Sequence, residues 1–180
     1  MKRDYPDIYT HLDSFGPEFK RRGAQGEKWY NLRACAFFDD FKRNKIVWIE
    51  LADKGRFALC SEEIYLVNSA YFMIPPPSLN PKYLLAILNS RVIEFYLGLI
   101  AETSGMGTSR WINNYVKEFP IVMAKLADQT PIINIVDSIL AAKQRDASTD
   151  TSALEQKLDK LVVKLVCCHV HMVLVYLPEA

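Results

Sequence analysis

The residue types best suited to recognition chemistry lie between Lys20 and Arg33. In KRRGAQGEKWYNLR, Lys20, Arg21, Arg22 and Lys28 suit phosphate oxygens, because ammonium and guanidinium groups displace the counterions of a polyanion. Gln25 and Arg33 carry the amide and guanidinium forks that match a purine edge, and Trp29 or Tyr30 can stack or pack beneath them. Sequence-specific binding of a nucleic acid needs both kinds of group, one for affinity and one for readout. The plainer alternative is a solvated loop followed by core aromatics, and for Trp29 taken alone core packing is preferred. A second candidate is the loop Thr103 to Trp111. Its two glycines let backbone approach a phosphate, and Ser104, Thr108, Ser109 and Arg110 are donors. An ordinary connection between helices has the same composition. Lys42, Arg43 and Lys45 form a third basic cluster, which Asp39 and Asp40 partly cancel.

Three patterns that resemble catalytic or metal sites fail on geometry. Pro6-Asp7 followed by Glu18-Phe19-Lys20 spells a loose metal-dependent nuclease string. That chemistry needs carboxylates on adjacent strands, so that a cation and an activated water meet. Asp7 instead precedes a helix-like run, and Glu18 adjoins a Gly-Pro turn. Cys167, Cys168, His169 and His171 are zinc ligands in type, yet four groups crowded into five positions cannot all face one ion. His11 has no serine or cysteine that spacing would pair with it, so hydrolase chemistry has no support. No cofactor is implied, and the chain reads as a non-enzyme.

The elements that position these residues are legible in outline. Ile8, Leu12, Phe15 and Phe19 recur at near-helical intervals, with Gly16-Pro17 restarting the turn. KIVWIELA (residues 45–52) and RFALC (56–60), separated by a turn at Asp53 to Gly55, predict a hairpin. IYLVNSAYFMI (64–74) predicts a further strand, ended by Pro75, Pro76 and Pro77. PKYLLAILNSRVIEFYLGLI (81–100) is apolar almost all round and predicts one central buried helix. INNYVKEFPIV gives a short amphipathic segment. From Pro131 a helix is expected with Ile132, Ile135, Val136, Ile139 and Leu140 on one face. A second helix follows from an N-cap at Asp150 or Thr151, with Leu154, Leu158, Leu161 and Leu165 in a stripe. The tail VCCHVHMVLVYLPEA has no clear period.

Bulk properties bound the answer. In 180 residues of which 50% are hydrophobic there is room for one proper core, and a formal charge of +1 argues for no particular partner. The charge is uneven, however: residues 1–56 hold twelve Lys or Arg against nine Asp or Glu, and the remainder ten against twelve. Four cysteines without framework spacing fit free thiols in a reducing compartment. With no signal-peptide core and no run of about 20 apolar residues, a cytoplasmic protein without membrane contact is expected.

Several landmarks taken in order resemble the C-terminal specificity domain of the TaqI-like and Eco57I-like adenine-N6 DNA methyltransferases and restriction enzymes. They are YPDIYTHLDSF, the basic linker ending in GEKWYNLRAC, KIVWIE, the strands around RFALC and YFMI, YLLAILNSRVIEFYL, and YVKEFPIV followed by SALEQKLDKLV. The resemblance spans residues 4 to about 163. It implies an α+β target-recognition domain that reads double-stranded DNA and delivers an adenine for flipping, its partner being a methyltransferase or nuclease domain or subunit. Two features depart from the family. There is no glycine-rich cofactor loop and no Asn-Pro-Pro-aromatic motif, Asn80-Pro81-Lys82 being no substitute. The apolar tail also replaces a tyrosine-rich, acidic ending, which points to a change of frame or a truncated gene near Lys164.

The expected architecture is a mixed or antiparallel sheet on a central buried helix, then a C-terminal helical hairpin, with a recognition domain over 1–125 and a helical segment over 126–180. The expected DNA contacts are Lys20, Arg21, Arg22, Gln25, Lys28, Tyr30, Arg33, Ser104, Thr108 and Arg110. The alternative is an interaction module that docks through the Leu154, Leu158, Leu161 stripe.

Overall fold

A computed structural model describes residues 1–23, 25–33, 35–101 and 107–168. The chain divides into two compact units between Phe38 and Asp39; the junction expected near residue 125 falls within the second.

In the first unit, α1 (Pro6–Asp13) starts on a proline that fits the first helical turn, and α2 (Gly16–Lys20) follows it. The break comes at Gly16, whose φ of +82° is a left-handed conformation that side chains resist. Beyond α2 an isolated antiparallel bridge joins Gln25 to Leu32.

The second unit holds the core. An antiparallel sheet in the order β3-β1-β4 is formed by β1 (Lys45–Ile49), β3 (Ala58–Cys60) and β4 (Ala70–Met73). β1 pairs with β3 through Ile46↔Leu59, the expected hairpin, and with β4 through Val47↔Phe72 and Trp48↔Tyr71. Of the run 64–74, only Ala70–Met73 pairs as strand. A second small sheet joins β2 (Leu51–Ala52) to β5 (Ser109–Arg110), a long-range pairing that no local pattern announces. The start of β1 is tied down by Lys45, which is buried. Its ammonium donates to the carbonyls of Phe41, Arg43 and Glu62 at 2.7, 3.2 and 2.7 Å.

The expected central helix is two helices, α3 (Pro81–Leu88) and α4 (Arg91–Ile100), bent by 57°. Polar side chains at the break explain it. Ser90 Oγ caps α4 by accepting from Ile93 N and donates to the Ile87 carbonyl, while Asn89 binds the backbone of Phe57 through both N–H and C=O at 3.0 Å. Asn80 caps α3, its carboxamide oxygen accepting from Lys82 N and Tyr83 N, so Asn80-Pro81 is a helix start. Tyr83 to Leu88 are all buried, and α3 touches β3, α4 and the two C-terminal helices.

After the short α5 (Asn113–Val116), α6 (Leu126–Arg145) and α7 (Ser152–Cys168) form the expected hairpin. α6 begins five residues before Pro131, which lies inside it; so near the start, the missing N–H forgoes one ladder bond, to the carbonyl of Ala127. At the start of α7 Asp150 Oδ1 accepts from Ser152 N, as one of the two expected caps would, whereas the buried Thr151 hydroxyl donates to the Glu155 carboxylate rather than accepting from a backbone N–H. Leu158 and Leu165 are buried, and Leu154 and Leu161 pack on the same core. Among the described residues no single helix is long and apolar enough to cross a membrane; α3 and α4 pass that test only as a bent pair. His169, His171 and the rest of the tail lie outside the described residues.

Candidate nucleic-acid interface

Seven of the ten expected contact residues belong to the first unit, where three rings form a platform. Tyr9, from α1, meets Trp29 and Tyr30 edge-on at centroid distances of 5.4 and 5.9 Å, and Trp29 meets Tyr30 at 5.4 Å. Each ring carries a lysine ammonium over it: Lys2 over Tyr9 at 5.5 Å, Lys20 over Trp29 at 5.0 Å, and Lys28 over Tyr30 at 5.9 Å. Such contacts hold a flexible cation in place without removing its charge. Lys20 is also paired with Asp13 at the end of α1. Phe19 adds a fourth ring, edge-on to Trp29 at 6.4 Å.

Arg22 is the clasp of the loop. Its guanidinium lies over the Phe19 ring at 4.3 Å and donates to the Trp29 and Asn31 carbonyls at 2.6 and 2.7 Å. With the Gln25↔Leu32 bridge it closes the loop that presents Lys28. Gly26 is required at this closure, because a Cβ there would stand 2.7 Å from the Leu32 carbonyl oxygen. Gln25 Oε1 is buried without a hydrogen-bond partner, so in this conformation it faces inward. Arg21 is exposed and donates to the Pro17 carbonyl at 3.4 Å, and Arg33, just past the bridge, is exposed. Sequence reading counted Lys2 in the basic N-terminal third but not among the contact residues; its further signal was the i, i+7 spacing to Tyr9.

The remaining three sites belong to the other loop. Ser104 lies outside the described residues. Thr108 is half-buried, and Arg110, on β5, donates to Glu50 at 2.7 Å. Glu50 also adjoins Tyr71, whose hydroxyl is pushed up first by burial and then by that carboxylate. Asp7 and Glu18, the nuclease-like pair, stand in the first turns of α1 and α2. Among the described residues no three His, Cys, Asp or Glu side chains converge as metal ligands would.

Residues 6–121 match the family model of the TaqI-like C-terminal specificity domain, a stretch that reaches from α1 past α5. No curated protein matches the chain.

Proposed function

This chain belongs to the family of TaqI-like C-terminal specificity domains, and from that premise we propose that it binds double-stranded DNA as the target-recognition part of a restriction-modification methyltransferase. The observation that carries the reading is the ring platform of the first unit, which holds Lys20 and Lys28 in defined places beside exposed Arg21. Groups held in this way contact phosphates at a smaller entropic cost than lysines moving freely. Arg22 and Tyr30 act from beneath, by closing the loop and by seating Lys28.

Base readout falls to Arg33, exposed beside the loop, and to Gln25 once its carboxamide turns outward. Turning out relieves an unpaired buried acceptor, which costs about 1–3 kcal/mol where it is, and offers a fork that fits adenine. In the second unit Thr108 and Arg110, with Ser104, add backbone contacts from the other loop. The domain performs no chemistry itself; methyl transfer belongs to a methyltransferase or nuclease domain or subunit, and the setting is cytoplasmic. The docking alternative is the weaker reading, because Leu158 of the α7 stripe is buried in the protein's own core and Leu154 and Leu161, partly buried, pack against it.

The experiment is a titration of the purified chain against a randomised duplex pool at two salt concentrations, with the retained sequences read out. A short enriched motif together with salt-sensitive affinity supports the reading. Absence of binding even at low salt overturns it.

A further inference from the structure

Lys2 lies outside every group of residues so far assigned to DNA, yet the structure gives it the same seat as two that are. Tyr9, Trp29 and Tyr30 touch one another pairwise, at 5.4 to 5.9 Å, and each supports one ammonium within 6 Å of its centroid. The three lysines come from distant points of the segment, before α1, at the end of α2 and in the loop, and only folding brings them to one ring cluster. A random surface lysine loses rotamer freedom when it is laid on a ring, so three such placements on one contiguous cluster are a built arrangement of charge. The only carboxylate paired with any of the three among the described residues is Asp13, with Lys20.

We infer that Lys2, Lys20 and Lys28 form a single phosphodiester-contacting face, with Lys2 as its third member, and that this face binds the backbone without regard to sequence. The inference rests on the DNA-recognition reading and sharpens it in two ways. It adds a residue, and it gives Trp29 and Tyr30 the seating of cations as their role in place of base stacking. Specificity therefore comes from groups outside the platform.

The test is the salt dependence of duplex affinity for the full chain and for Lys2→Gln, Lys20→Gln, Lys28→Gln and the triple variant, with Lys157→Gln on α7 as a control. Each platform variant should lower the slope of log affinity against log salt by about 0.9 and the triple by roughly 2.7, alike for an enriched and a scrambled duplex. Lys2→Arg should keep the wild-type slope, and Lys157→Gln should leave it unchanged. A Lys2→Gln slope equal to wild type, or a Lys157→Gln loss equal to that of Lys2→Gln, overturns the inference while leaving DNA recognition intact. Failure of the wild-type chain to bind any duplex overturns the underlying reading instead.

Discussion

In the first unit, Met1–Phe38, no described residue is buried, whereas the second carries the whole buried cluster from Ile46 to Leu165. The first is held by ring edges, cations over rings and one guanidinium on backbone carbonyls. Each ring contact contributes about 1 kcal/mol at an exposed site, and the guanidinium's charged hydrogen bonds somewhat more. The second is held by aliphatic and aromatic burial, where single side chains contribute several times as much. Most of the expected contact residues sit in the unit with the smaller reserve of stability. Low local stability is where surfaces that must adapt to a ligand are commonly found.

The largest expected effect tests the cored unit. Leu88→Ala, at a position with no exposed surface, should cost about 2–5 kcal/mol. It should shift the urea midpoint followed by far-ultraviolet circular dichroism. Phe15→Ala in the first unit, at 55% exposure, should move the same midpoint by less than about 1 kcal/mol. Equal losses would erase the distinction between the units.

Next comes a pH effect confined to the core. Tyr83 is fully buried, its hydroxyl donates to the Val122 carbonyl at 2.7 Å, and burial pushes its pKa from 10 up to about 12. Between those values the unfolded chain loses the phenolic proton while the folded one keeps it, so stability falls as pH rises. The contribution is fully present below pH 10 and is lost by about pH 12, amounting to about 3 kcal/mol at most. Tyr83→Phe should start less stable by the lost hydrogen bond and show a flatter decline over that window. An unchanged decline would place the alkaline sensitivity elsewhere.

The same contrast explains what could be read from sequence. The β1–β3 hairpin, α1 with its Gly16 break, and the α6–α7 pair were legible because periodicity and turn residues are local signals. The bend at Asn89-Ser90 was not, since an apolar run hides a cap that only Phe57 and Ile93 make visible. Nor was β2 with β5, where two residues pair across more than fifty positions. In the candidate site, the basic segment was visible by composition, but the division of labour within it was not. Arg22 binds backbone carbonyls, which carry no sequence signature, and Lys2 is ordinary until Tyr9 is placed beneath it.

A smaller effect should appear in the first unit alone. Arg22→Met removes the donors that hold the Trp29 and Asn31 carbonyls, and should raise amide exchange over residues 25–32 by the equivalent of about 1–3 kcal/mol. Arg22→Lys should not restore protection, because one ammonium lacks the planar fork that spans both carbonyls. Full rescue by lysine would mean that charge, rather than the fork, closes the loop. Duplex affinity should fall in step with lost protection, as Lys28 loses its fixed place.

The smallest change in stability should accompany an informative change in binding. Asp13 and Lys20 are paired at 45% and 38% side-chain exposure, and pairs this open to water contribute between nothing and about 1 kcal/mol. Asp13→Asn should therefore leave the unit folded, with Trp29 fluorescence and exchange protection near wild type. Its effect on DNA should have the opposite sign to that of the lysine-to-glutamine variants of the platform. With the carboxylate gone, Lys20 keeps its place over Trp29 but no longer shares its charge, so any duplex should bind more tightly at low salt, and the gain should shrink as salt screens it. If Asp13→Asn instead unfolds the segment, the first unit is held by ion pairing rather than by its rings, and the contrast between the two units has been drawn on the wrong interaction.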